Sequence, residues 1–389
     1  MKIGLIYLKE IKYDDLAWVF VKDGIDSEII DTGVSVNSAS EDDAKKIAQM
    51  LSENNITAAI SMDFCPAVSD ACMKCGIRYL SWIYDSPQEA LYTKQVINNC
   101  NYIFSFDKDQ VKDTKLLGAG NVYYMPLATN RIRNVRLVIT EKDIRRYTVG
   151  ISFIGNLYRD NLYSQVYNAA SDSIKAEFNK IIDKAFGIWN GENNINGKLS
   201  DETLNALSKV WNIKQLDKYS VNIDTWAAAR LFARELAYRE RIEIARRLSS
   251  MDFRLYTYAG TDIELEGVDI WPELKYDEEL PKAYHLSKIN LNITLHSITS
   301  GVPLRVFDIM GVGGFVLTNY QPEVEELFDI GTDLETYKTI DELEEKASYY
   351  LVHDDLRTNI ALNGYRKVSE KYNNEIAFKK MAEISGLKL

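Results

Sequence analysis

Arg305 and Asp308 stand three residues apart in the segment SGVPLRVFDIMGVGGFVLTNY, residues 300–320. On a helix that spacing puts both side chains on one face. A guanidinium is a rigid fork of donors that matches phosphate oxygens. A carboxylate one turn further on can accept hydrogen bonds from sugar hydroxyls. Pro303 suits a first helical turn, where its missing N–H costs nothing. A helix is therefore expected from Leu304 to Met310. Its free N–H groups and partial positive charge would face the preceding loop HSITSG. Gly311, Gly313 and Gly314 then end the helix and let the chain pass closely into the apolar strand FVLTN. This is a layout for an anion with a hydroxyl-bearing group beside it. The spacing alone also fits an ordinary surface ion pair worth a few tenths of a kcal/mol.

A second constellation is VGISFIGNLY, a buried strand that turns at Gly155 and Asn156. A glycine there admits a ligand close to the backbone, and the following N–H groups can cradle a phosphate. Read on its own, it is equally a simple turn. Asp85 follows the strand WIY and is the first candidate for a general base, with Asp63 after ISM the second. Asp-Ser-Pro is also a routine helix start. His296 ends an apolar run and has either a catalytic or a hydrogen-bonded structural role. Cys72 and Cys75 form a lone C-x-x-C without two further ligands nearby, so reduced structural thiols are expected.

The elements that must position these residues follow from periodicity. Residues 1–135 alternate strand and helix: KIGLIYL, ITAAISM, RYLSWIY, YIFSF and VYYMPLA are strands, and SPQEALYTKQVINNC is read as a helix. Such alternation means a parallel sheet covered by helices, with ligands at the carboxyl ends of the strands. Asp63, Asp85, Ser86, Asp107 and Asn130 fall at those ends. A second αβ unit, residues 150–389, opens with VGISFIG and returns with FRLYTYAG, INLNITL and GFVLTN. Between them, about residues 160–250, helical spacing dominates and forms an insertion. The fold class is α/β.

The net charge is -11, which disfavours nucleic acid and anionic lipid as general partners. No apolar run reaches the length of a membrane span, and the first residues read as a strand rather than a leader. A cytoplasmic protein is expected.

The order SKINLNITLHSITSGVPLRVFDIMGVGGFVLTNYQPEVEELFDIG resembles the nucleotide-sugar-binding region of group 1 glycosyltransferases with the GT-B fold, and in particular the CgeB-like, spore-maturation-type branch. ISFIGNLY and WIYDSP are similar to further stretches of that branch. The resemblance implies two Rossmann-like domains, an acceptor domain (1–135) and a nucleotide-sugar domain (150–389), with a C-terminal helix that packs back on the first. It implies transfer of a sugar from a nucleotide-diphosphate sugar, UDP-sugar favoured, to a hydroxyl of a protein or glycan, without a metal or other cofactor. In the wider superfamily two glutamates separated by seven residues mark this region, and the second binds the ribose. Asp308 stands at the second position and Ser300 at the first. The implied donor site comprises Gly155, Asn156, Asn292, Thr294, Arg305, Asp308, Thr318, Asn319 and Tyr320, with His296 and Arg305 at the reacting phosphate and Asp85 as acceptor base. A nucleotide-sugar epimerase of the same fold and a non-catalytic binding or assembly protein are the alternatives. The helical insertion is a candidate docking or homodimer surface.

Overall fold

The computed structural model describes residues 1–12, 14–211, 221–258 and 264–388. The chain forms two compact units. Among the described residues, one holds those of 1–133, Val221 and 371–388, the other those of 134–211 and 222–370.

The first unit is built on six parallel strands: β1 (Ile3–Tyr7), β2 (Ser27–Asp31), β3 (Ala58–Met62), β4 (Arg78–Ile83), β5 (Asn101–Ser105) and β6 (Val122–Tyr124), in the order β2-β1-β3-β4-β5-β6. β3 is buried along its whole length, as expected of a strand covered on both faces. The Glu41–Glu53 helix shows why the segments between strands coil. Ser40 caps it by accepting from the Asp43 N–H, and Ala44, Ile47 and Leu51 recur on one face and enter the core. The Asn374–Ser385 helix belongs to this unit, where Phe378 meets Phe20 edge-on at 4.8 Å. The stretch read as one helix over SPQEALYTKQVINNC is instead two short 3-10 turns, Glu89–Leu91 and Lys94–Ile97. Side chains take the carbonyls a helix would use: Thr93 Oγ1 donates to Ala90 O (2.9 Å) and Asn101 Nδ2 to Gln95 O (2.8 Å).

Asp63 braces the carboxyl edge of this sheet. It adopts φ 59° and is 3% exposed. Its Oδ1 accepts from the N–H groups of Tyr84 (2.8 Å) and Asp85 (3.3 Å). Burial, with Asp85 nearby, pushes its carboxyl up to about 7.

The second unit also holds six parallel strands: β7 (Val149–Ile154), β8 (Phe253–Thr257), β9 (Asp269–Pro272), β10 (Ser287–Asn292), β11 (Val316–Asn319) and β12 (Glu335–Tyr337), in the order β12-β11-β10-β7-β8-β9. The strand expected over INLNITL ends at Asn292, because the Thr294 N–H leaves the ladder for Asn319 Oδ1 (2.7 Å). The last two residues of FRLYTYAG lie outside the described residues. Pro303 is the residue before the first helical turn, with ψ 154°, and the helix runs Leu304–Gly311. Between β7 and β8 lie the helices Tyr163–Ala169, Asp172–Ala185 and Asp201–Trp211, then a continuous run from Ile223 to Leu248 containing a π-helical turn, Ala228–Phe232. These helices share their own apolar cluster, in which Phe178 and Phe232 meet at 5.0 Å. The helical reading of residues 212–220 lies outside the described residues.

The glycines after the Leu304–Gly311 helix have separate tasks. Gly313 adopts φ 76°. Gly314 is required by contact: a Cβ there would sit 2.8 Å from Tyr284 O and 2.9 Å from Asn290 Nδ2. Gly314→Ala should therefore cost about 1–3 kcal/mol, read as a lower denaturant midpoint. Asp63 supplies a second test. Its folded-state affinity for a proton exceeds that of an unfolded aspartate, so between about pH 4 and about pH 7 its contribution to stability falls as pH rises. Asp63→Asn keeps an acceptor for the Tyr84 N–H and removes the ionisation. Its melting temperature should gain on that of the wild type from pH 5 to pH 8.

Candidate functional site

The carboxyl ends of β7, β8 and β9 and the start of the Leu304–Gly311 helix border a pocket of about 340 Å³. Gly155, Asn156, Arg305 and Asp308 line it together, with Tyr256, Tyr276 and Tyr284. Residues separated by 150 positions in sequence thus meet because β7 and β10 are paired neighbours, Leu291 beside Phe153.

Arg305 is held by side chains of β7 and β10. Its Nη1 donates to Asn292 Oδ1 (3.0 Å), and its guanidinium lies 5.6 Å from the centre of the Phe153 ring. A Cβ on Gly155 would come within 3.1 Å of Arg305 Nη2, so the glycine leaves room for the guanidinium. Asp308 is buried at the pocket wall and accepts from the Tyr276 hydroxyl (3.3 Å). Burial pushes the Tyr284 phenol up, while Arg305 beside it acts in the opposite sense. The turn after β7 is held by its own side chain: Asn156 Oδ1 accepts from the Tyr158 N–H (2.6 Å), and Tyr158 takes φ 57°.

Two site residues escaped the sequence reading, Glu240 and Arg241, adjacent on the Ala233–Leu248 helix. Both are buried. Arg241 donates through Nη1 to Asn156 O and through Nη2 to Ile293 O (2.6 Å), tying the ends of β7 and β10 together. Burial, and Arg305 nearby, lower its pKa to about 10. Glu240 Oε1 accepts from the Gly187 N–H (2.8 Å) and lies 2.8 Å from His296 Nε2. The His296 ring stacks on Trp189 at 5.6 Å. A signal for the pair did exist. Arg241 falls on the apolar stripe Ala237–Ile244–Ala245–Leu248, and a charge on a core stripe calls for a partner.

Four further expected residues, Asn292, Thr294, Thr318 and Asn319, form a buried network and do not line the pocket. Asn292 Nδ2 donates to Thr294 Oγ1 and Thr318 Oγ1, both at 2.9 Å, and Asn319 receives the Thr294 N–H. Tyr320 lies beside Lys338, whose Nζ is 4.4 Å from its ring centre. Ser300 donates to Glu323 Oε1 (2.9 Å), so the loop before the helix carries a buried carboxylate contributed from after β11. Asp85 stands exposed in the first unit, at the end of β4, on the backbone braced by Asp63. Cys65, Cys72 and Cys100 are buried thiols whose acidity burial suppresses. Among the described residues no group of three or more His, Cys, Asp or Glu side chains is arranged to hold a metal ion, and no helix is long and apolar enough to cross a membrane.

Residues 234–383 match a family model described as glycosyl transferase-like. Among curated proteins no sequence matches the chain. Among solved structures, a glycosyltransferase from Rickettsia africae superposes with a TM-score of 0.57 at 10% identity, covering 99% of this chain and 97% of that one. HepE from Anabaena, in complex with UDP-glucose, gives 0.55 at 10% identity and 98% coverage of both chains. A putative UDP-N-acetylglucosamine 2-epimerase from Listeria monocytogenes gives 0.52 at 12% identity, covering 100% and 96%. Two six-stranded parallel sheets flanked by helices, shared with these neighbours over nearly the whole chain, give this protein the GT-B fold, and most of the glycosyl transferase-like segment lies in its second unit.

Proposed function

We propose that this protein is a glycosyltransferase that moves a sugar from a nucleotide-diphosphate sugar, a UDP-sugar by preference, to a hydroxyl of a protein or glycan. One observation carries the reading: Gly155, Asn156, Arg305 and Asp308 meet in one pocket at the carboxyl edge of a parallel sheet. The glycosyl transferase-like match over residues 234–383 and the UDP-glucose bound to the similar HepE structure support it.

On this reading Asp308 accepts the ribose hydroxyls. Arg305 and the N–H groups after Gly155 bind the diphosphate. Departure of the nucleoside diphosphate builds negative charge on the leaving oxygen, and a preorganised guanidinium at a helix start stabilises it. These residues supply positive charge themselves, so the reaction is read as metal-independent. His296, held against Glu240, stands by the donor, and Asp85 takes the acceptor proton. Asn292, Thr294, Thr318 and Asn319 fix the strand ends from behind, and Tyr320 is assigned to closing over the donor. Buried thiols suit the reduced cytoplasm.

The similar Listeria structure, titled a putative epimerase, motivates a second reading in which the same pocket holds a UDP-sugar for epimerisation. Incubating UDP-N-acetylglucosamine with the protein and following the sugar signals by NMR separates the two. A new epimer without acceptor favours the second reading.

The first test is thermal stability with UDP, GDP, dTDP and CMP nucleotides and their sugars. A nucleotide at a hundred times its Kd should stabilise by about 2.7 kcal/mol, a shift of a few degrees, and the shift should survive EDTA. Asp308→Ala should abolish it. Gly155→Ala, which crowds both Arg305 Nη2 and the buried Phe153 ring, should weaken nucleotide binding and also lower the unliganded melting temperature. No shift with any nucleotide would overturn the proposal.

A further inference from the structure

Two guanidiniums share one aromatic ring. Arg305 and Arg241 lie 5.6 Å and 5.1 Å from the centre of Phe153. Among the described residues neither has a carboxylate within 4.0 Å. Glu240, next in sequence to Arg241, bonds through Oε1 to the Gly187 N–H and lies beside His296 Nε2, so its charge acts on Arg241 without a hydrogen bond to it. Arg241 is 5% exposed, and its Nε is buried without a hydrogen-bond partner. Burying an unpaired cation is costly, and a second cation nearby adds repulsion. Burial, and to a smaller extent Arg305, draw the pKa of Arg241 down to about 10 against the opposite pull of Tyr158 and Glu240. An anion bound at the pocket would offset both costs.

That anion would contact Arg305, which lines the pocket, rather than Arg241, which does not. Arg241 acts from behind in two ways. Its bonds to Asn156 O and Ile293 O fix two peptide planes at the strand ends. In a trans peptide the N–H points opposite to the C=O. The Leu157 N–H is therefore directed away from Arg241, and the Thr294 N–H is directed at Asn319. Its charge also adds to the potential at Arg305, and at short range in a buried setting such a charge is weakly screened.

We propose that Arg241 is a positioning residue that sets the charge preference of the phosphate cradle, making it select a diphosphate over a monophosphate. This rests on the donor-site reading above, and it names what the site discriminates. A residue that only held the fold would affect both ligands alike. One that supplies charge affects the more highly charged ligand most.

The experiment is titration calorimetry of the full chain with UDP, UMP, inorganic pyrophosphate and inorganic phosphate. The wild type should bind UDP more tightly than UMP, and pyrophosphate more tightly than phosphate, each by about tenfold or more. Arg241→Gln, neutral but able to donate, should bring both ratios toward one while UMP affinity changes less than UDP affinity. Arg241→Lys keeps the charge and cannot span both carbonyls. It should weaken both nucleotides while retaining the ratios. If Arg241→Gln fails to fold by circular dichroism, the lysine variant still decides: loss of the ratios with charge retained overturns the proposal. Equal affinity of the wild type for di- and monophosphates also overturns it, as does an unchanged ratio in a folded Arg241→Gln. Pyrophosphate selectivity that depends on Arg241, without binding of any nucleotide, would uphold the charge role and reject the nucleotide-sugar reading.

Discussion

The second unit depends on one buried cross-link, the guanidinium of Arg241 bonded to the last carbonyls of two neighbouring strand ends. Asn156 and Ile293 lie on the loops that leave β7 and β10, and each loop would otherwise expose an unpaired carbonyl at the sheet edge. The neighbouring Glu240 does the same for the loop at Gly187 and the ring of His296. A single helix, Ala233–Leu248, thereby sets three loops with two adjacent side chains. The geometry of Arg305 follows from this, because the Phe153 ring on which it rests and the Asn292 amide that receives it sit on those same two strands.

Behind that cross-link, polar residues of β10, of β11 and of the loop after β10 form a connected set. Asn292, Thr294, Thr318 and Asn319 are all buried, and each bonds another member. Such a network costs less than isolated buried amides and fixes one arrangement. The Tyr337 hydroxyl adds a bond to Asn292 O (2.9 Å) from β12. Rigidity at the strand ends leaves the pocket side chains, Arg305 and Asp308, on a fixed platform rather than on mobile loops. A site that must meet charge as it develops needs such preorganisation.

The central strands were legible because burial on both faces writes an uninterrupted apolar run, as in β3 and β7. β9 and β12 were not, being four and three residues long, and β9 is half-exposed. Arg305 with Asp308, and Gly155 with Asn156, could be read because their relation is local, set by helical spacing and a turn. Arg241 could not be assigned a partner, because its acceptors lie 85 and 52 residues away. Spacing carries no information at that range. The charge on its apolar stripe announced only that some partner must exist. Ser300 is a similar case, since the carboxylate that meets it comes from Glu323, beyond the next strand. The 3-10 turns of Glu89–Leu91 and Lys94–Ile97 were misread because polar side chains compete for backbone carbonyls in ways periodicity does not register.

The π-helical turn at Ala228–Phe232 has a bearing on how the second unit is assembled. One extra residue in a helix rotates everything beyond it by roughly 100°. Leu231 and Phe232, with Ala233 and Leu236 just beyond the turn, face the helical cluster, whereas Ile242, Ala245 and Leu248 further along face the sheet. The wide turn sets the rotational phase with which a single rod leaves the helical cluster for the sheet. Its two ends answer to different packing constraints, and sequence drift in the helical cluster need not rotate Glu240 and Arg241 away from the strand ends they hold.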